Sequence, residues 1–409
     1  MNRQAWSVAR VPFIGALILF VATIAIGILN GIDVYTPDHD TLIGHVHAGT
    51  LGWITQSFAA VAILVFIGDR TLGDADLKRA RTMARWVTIA VTLYVAAFFA
   101  GDAVPGDRID RPITGTLLLL MLIWFTRWMF QNQRQVPKTI ARLGLLLSGI
   151  AVVIGAVFGI VLGVVTAGQE IPGLSEKLTD AIAEVHPPAM VVGFLLLAAM
   201  AMIEWLLGDR PAAGNRAGVI QMWLVFAAGL LLTVAFISGL EEELAGPANL
   251  AMIVGVVMLL VRRRRDLKPA AWKGSGTAWF PRTSLLFLLG YLVLLTVIVA
   301  KFVSGAMDPD AMTPEDDGLL VALDHMMFVG VMTTALFGAL ATTLHGKAMG
   351  VFDKILLGGV AIGLPGFVVG LITLEQLPKR IFTPIMGTAL LIGIFGYLRE
   401  VMRTGANTS

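Results

Sequence analysis

The chain is punctuated by continuous apolar runs of about 20 residues, the length an α-helix needs to cross the roughly 30 Å hydrocarbon core of a bilayer. Membrane-spanning strands need only about 10 residues and alternate in polarity, so runs of this kind leave the helix as the element that can satisfy every backbone group in lipid. Hydropathy predicts spans near 11–30, 43–68, 84–104, 112–130, 140–167, 185–207, 219–239, 247–261, 285–303, 319–345, 355–374 and 381–398. The expected fold class is therefore an all-α polytopic membrane protein of about twelve helices, forming a single transmembrane domain over residues 1–409. Composition agrees: 57% of residues are hydrophobic and 14% charged, a balance a soluble domain of this length would not keep in water. Residues 1–10 lead into the first run without a small-residue cleavage pattern, so that run is expected to stay as a span.

Loop charge sets the expected orientation. One set of loops carries Arg70, Lys78, Arg79, Arg81 and Arg85, then Arg127, Arg134, Lys138 and Arg142, then Arg262, Arg263, Arg264, Arg265, Lys268 and Lys273. The alternate set is acidic, with Asp33, Asp38 and Asp40, then Glu170, Glu176 and Asp180, then Glu241, Glu242 and Glu243, then Asp308, Asp310, Glu315, Asp316 and Asp317. The positive-inside rule then puts both termini in the cytoplasm and the acidic loops outside, in a plasma or bacterial inner membrane. The lipid bilayer is the expected surround, and no nucleic-acid partner is expected.

In this topology the second, sixth and tenth spans enter from the outside, and each opens on histidine. The segments are Gly44-His45-Val46-His47-Ala48-Gly49, Val185-His186-Pro187-Pro188 and Asp324-His325-Met326-Met327. Imidazole is costly in hydrocarbon without a partner, and His45, His47, His186 and His325 should all fall in the outer leaflet, within the first two turns of their helices. That arrangement implies a bound metal or haem. The chain has no cysteine, which excludes disulfides, iron–sulfur clusters, thiolate ligands and attached c-type haem and leaves His, Met and carboxylates as ligands. His45 and His47 are two positions apart and point to nearly opposite helix faces, so one of the two is expected to face a given partner. Pro187 should push His186 toward extended geometry, with Pro188 suiting the first helical turn. His345 is expected at the inner end of the tenth helix as part of a C-terminal cap, and His39 in a solvated loop. Met190, Met326, Met327 and Met332 are read as packing residues, and Gly155, Gly159 and Gly163 as a small-residue row for close helix approach. Glu204 is expected to reach the inner interface.

The stretch His45-Val46-His47-Ala48-Gly49-Thr50-Leu51-Gly52-Trp53 resembles the second-helix segment of haem–copper oxidase subunit I, whose twelve-helix, both-ends-inside bundle is similar too. His325-Met326-Met327-Phe328-Val329-Gly330, with His345-Gly346 further on, resembles the late helix of the NnrS family of membrane haem- and copper-containing proteins linked to nitric oxide stress. The resemblance implies a low-spin b-type haem held between the second and tenth helices by His45 or His47 together with His325, with copper as a candidate further metal and His45, His47, His186 and His325 as the candidate metal ligands.

The departures shape the expected function. The span predicted at 219–239 carries no histidine, Leu323 stands where the tenth helix of the catalytic enzymes has the first histidine of a pair, and no tyrosine follows His186. The usual oxygen-reducing binuclear centre therefore looks incomplete, and the expected role is redox or nitric oxide handling by a His-ligated haem. The alternative is a non-haem protein that binds or transports copper or zinc with His45, His47, His186 and His325. The acidic outer face offers a docking surface for a basic electron carrier.

Overall fold

A computed structural model describes residues 2–100, 108–169, 171–274, 276–308 and 311–406. Glu170, Asp310, the end of the predicted third span at Val104 and the side chain of Glu176 lie outside the described residues. Among the described residues there is no strand, and twelve helices are long and apolar enough to cross a membrane. They are α1 (Arg3–Gly31), α2 (His39–Ile67), α3 (Asp74–Ala100), α4 (Asp110–Gln133), α5 (Ile140–Thr166), α6 (Lys177–Leu206), α7 (Arg216–Ser238), α8 (Glu241–Arg262), α9 (Gly276–Val303), α10 (Pro314–His345), α11 (Val351–Ile372) and α12 (Gln376–Thr404).

Every predicted span is present, and most extend beyond the hydropathy limits. The added turns are polar, and a hydropathy window rejects them although the backbone favours helix there. Ser175 caps the α6 end by accepting the Leu178 N–H at 3.3 Å, and Thr313 and Asp316 close a reciprocal capping box ahead of Pro314. Acidic first turns, Asp40 in α2, Glu241, Glu242 and Glu243 in α8, and Glu315, Asp316 and Asp317 in α10, complement the helix dipole. These turns move the histidines inward: His325 ends the 12-residue segment Pro314–His325, three turns from the cap rather than within the first two. His186 sits similarly deep in the segment Glu176–Pro188 and is helical, not extended, and Pro188 also has helical dihedrals of −60° and −40°. Helix on both sides overrides the local bias of a residue before proline, and the missing proline N–H groups fall where the helix widens.

The chain divides into two compact units, Met1–Leu19 with His39–Leu259 and Phe20–Asp38 with Leu260–Ser409. In the first, α5 packs against α4, α6 and α7, and α2 packs against α3. In the second, α11 and α12 form the most extensive pair, while α10 packs between α9 and α11.

The three histidine helices are also the most enclosed. In α2, α6 and α10, 94%, 78% and 61% of the most apolar 18 residues are buried, against 28–50% in the other nine spans. A helix apolar all round is an interior helix, and in each of these three the enclosed stretch follows the histidines, which are themselves half-buried.

Candidate functional site

Each of the three histidine helices changes geometry at the same place. The α-helix of α2 gives way after His47 to a π-helical segment, Ala48–Thr55; that of α6 after Pro188 to Ala189–Leu196; and that of α10 after His325 to Met326–Thr333. All three segments are eight residues long. π-Helical turns are rare, and those within α-helices are frequent at functional sites.

The correspondence continues residue by residue. The fifth position of each segment is glycine, at Gly52, Gly193 and Gly330. A Cβ on Gly52 would lie 2.9 Å from Leu19 Cβ, and one on Gly330 would lie 2.8 Å from Phe287 Cγ and 2.9 Å from Leu364 Cδ2. At Gly193 the close approach is from the other side, where a Cβ on Gly229 of α7 would lie 2.6 Å from Gly193 Cα. The eighth position is Thr in two of the three, and its hydroxyl donates to the carbonyl five residues back: Thr55 to Thr50 at 2.9 Å and Thr333 to Phe328 at 2.8 Å. A hydroxyl reaching five residues back fits the wide turn as one reaching four back fits an α-turn.

Aligned on these segments, His47 corresponds to His325 and His45 to His186. Pro188 stands at the place of the first pair and Leu323 at the place of the second. The two corresponding imidazoles are held the same way. His47 Nδ1 lies 2.9 Å from the Ile43 carbonyl and His325 Nδ1 lies 2.8 Å from the Val321 carbonyl, one helical turn back in each case. Only a protonated Nδ1 can make that bond, which fixes the tautomer and turns Nε2 into a lone-pair donor. An aromatic ring braces each: Phe98 stacks on His47 at 4.1 Å and 14°, and Phe367 meets His325 edge-on at 5.0 Å.

Around His47 the first unit adds charge. Tyr94 contacts the ring edge at 5.8 Å, and the Arg111 guanidinium lies 4.8 Å from the centre of the Phe98 ring. Arg111 is only 6% exposed and, with Arg108, holds Asp40, at 3.1 Å and 2.9 Å respectively. The buried Nε of Arg111 has no hydrogen-bond partner among the described residues. Sequence reading passed over this cation because arginine at a span end usually snorkels to water.

The remaining expected residues fall as follows. His45 is half-buried, with Nδ1 screened from solvent. His186 Nδ1 bonds the Gly155 carbonyl on α5 at 3.1 Å, and a Cβ on Gly159 would come within 3.0 Å of the His186 ring. The glycine row on α5 is thus the seat of an imidazole as well as a packing surface. His39 is exposed at the start of α2. Met190 Sδ packs over Gly155, and Met326, Met327 and Met332 are buried.

Two expectations are corrected. Glu204 is completely buried and accepts a hydrogen bond from Gln221 on α7 at 3.2 Å, instead of reaching the interface, because α6 is enclosed along its whole inner half. Burial likewise pushes the carboxyl of Asp209, in the following turn, above the usual carboxylate range. His345 is more than a cap: Nδ1 faces Asp353 at 3.0 Å, Nε2 faces Glu400, and Tyr397 donates to the other oxygen of Asp353. This network joins the ends of α10, α11 and α12, and only side chains distant in sequence make it.

Chemically, each module offers an imidazole Nε2 that could ligate a metal, and the buried guanidinium of Arg111 suits a carboxylate-bearing group. Among the described residues no three His, Asp or Glu side chains form a group that could hold a metal ion. No protein-family model matches the chain, and comparison with curated proteins finds no similar sequence.

Proposed function

We propose that this is an integral-membrane haem protein of the haem–copper oxidase and NnrS type, with Nε2 of His47 and Nε2 of His325 each offered as an imidazole ligand for b-type haem iron. The observation that carries the reading is the repeated module, in which both imidazoles are fixed by a backbone carbonyl one turn back and followed by eight residues of π-helix with glycine fifth and threonine eighth. The resemblance of the second-helix and tenth-helix segments to those families points the same way. When bound, the haem would supply a ferrous–ferric couple for electron transfer or for binding a small gas such as nitric oxide.

The residues' own contribution is orientation and electrostatics. The carbonyls of Ile43 and Val321 fix the ring tautomers and raise imidazole basicity. Phe98 and Phe367 restrict ring rotation, and Arg111 and Arg108 would supply positive charge to the carboxylates of a bound haem. In the orientation given by loop charge, both termini lie in the cytoplasm, the His-bearing ends face outward, and the acidic outer loops form a docking face for a basic electron carrier.

The test is the optical spectrum and metal content of the purified, detergent-solubilised protein before and after dithionite. A sharp ferrous haem band that is lost in both His47→Ala and His325→Ala, and retained in His45→Ala, is the expected result. A colourless protein carrying stoichiometric copper or zinc would replace this reading with the non-haem one.

A further inference from the structure

The second unit contains a half-open groove of about 880 Å³ whose lining is almost entirely apolar. Its walls are α9 and α11, and its floor includes Met326, the residue after His325. From Lys354 to Pro365 on α11, both of which line it, eleven residues at 1.5 Å each give a length of about 16 Å. That is close to the roughly 15 Å hydrocarbon depth of one leaflet.

The two ends of the groove differ. The deep part is formed by groups such as Leu286, Phe287, Ala361 and Pro365. The mouth carries Lys347, Lys354, Trp272 and Trp279, with both lysines exposed. The tryptophans form a fixed pair: Trp279 Nε1 donates to the Trp272 carbonyl at 2.9 Å and the rings meet at 5.7 Å. The rim is tied down as well, since Thr277 Oγ1 donates to the Gly346 carbonyl at 2.7 Å. Gly276, at φ +52°, approaches so closely that a Cβ there would lie 1.8 Å from the Lys347 carbonyl oxygen. Asp353 and Glu400 face His345 and Tyr397.

An apolar slot one leaflet deep, with indoles at the interface and two ammonium groups above them, has the polarity profile of one anionic phospholipid: acyl chain below, glycerol backbone at the indoles, phosphate at the lysines. We propose that this groove is a binding site for an anionic phospholipid, with Lys347 and Lys354 recognising the headgroup and the α9–α11 slot taking an acyl chain down to Met326. The site is separate from the haem reading and stands or falls independently of it. By loop charge it opens on the cytoplasmic leaflet, the side to which the same rule assigns the basic run Arg262, Arg263, Arg264 and Arg265.

The experiment uses the full chain in phosphatidylcholine nanodiscs, titrated with phosphatidylglycerol whose chains are brominated, with tryptophan fluorescence as readout and brominated phosphatidylcholine as the reference. Quenching by the anionic lipid should saturate at a mole fraction at least fivefold lower than by the neutral one, about fivefold being the effect of a single lysine near the surface. The responding signal should disappear from the Trp272→Phe/Trp279→Phe double variant. Lys347→Gln combined with Lys354→Gln, both on exposed side chains, should bring the two curves together. Gly358→Phe should fill the slot and abolish the specific quenching, since nothing lies within 4 Å of a Cβ at Gly358. Identical curves for the two lipids in the unaltered protein, or a preference that survives the double lysine variant, would overturn the proposal. So would full competition by soluble glycerol phosphate, which would show that a headgroup anion suffices.

Discussion

Gly330→Ala offers the sharpest test of the π-helical module, because Gly358→Ala in the same unit serves as its control. Replacing glycine by alanine in a helix gains about 0.8–1 kcal/mol of propensity at either place. At Gly358 nothing opposes that gain, since no atom lies within 4 Å of the new methyl. At Gly330 the methyl would sit 2.8 Å from Phe287 Cγ and 2.9 Å from Leu364 Cδ2, and Phe287 and Leu364 are 7% and 0% exposed. A ring carbon bonded directly to Cβ cannot swing aside as a chain end can, so the helices must separate or the module must rewind. Overpacking of this kind costs about 1–3 kcal/mol. Because propensity cancels between the two variants, their difference isolates the steric cost: Gly330→Ala should be about 1–3 kcal/mol less stable than Gly358→Ala. Thermal unfolding of both in the same detergent, followed by circular dichroism, measures the gap. Equal midpoints would refute the close approach of α9 and α11 to the module and, with it, the idea that the fifth-position glycine is a structural requirement.

Further outcomes follow from the same geometry. Thr333→Val and Thr55→Val each remove one hydroxyl bond that spans five residues, with a loss of about 0.5–1.5 kcal/mol apiece; an unchanged midpoint in both would show that the hydroxyls do not hold the wide turns. Asp353→Ala should cost about 3 kcal/mol or more in thermal stability, since the carboxylate is completely buried and removing it strands Tyr397, the Gly350 N–H and His345 together; a loss below about 1 kcal/mol would contradict the network. For Asp40 and Arg111, a double-mutant cycle to Asn and Gln should return a favourable coupling above about 1 kcal/mol because the arginine side chain is 7% exposed, and a coupling near zero would return the pair to the class of surface ion pairs.

Much of this molecule could be read from the chain because the bilayer imposes a strong, local rule: a span must be long, apolar and helical wherever it occurs. The twelve helices and the placing of histidines on α2, α6 and α10 follow from that rule alone. What hydropathy missed were the polar first turns, whose stability comes from caps and dipole complementarity. Those turns set His186 and His325 a turn deeper than expected.

The site itself divides in the same way. His45, His47, His186 and His325 are recognisable because an imidazole in an apolar stretch is conspicuous by type. Which of the histidines correspond, and which nitrogen each offers, is a tertiary matter. Both depend on where the backbone shifts from α to π turns, a change with little propensity signature because it is stabilised by neighbouring helices at Gly52 and Gly330. The enclosure of Glu204, the Arg111–Asp40 pair, the joining of His345 to Asp353, Glu400 and Tyr397, and the groove closed by Gly276 against Lys347 likewise come from residues far apart in the chain. Local composition decides that a segment is a buried helix, but its partners are fixed by how the helices pack, and sequence periodicity carries no record of that.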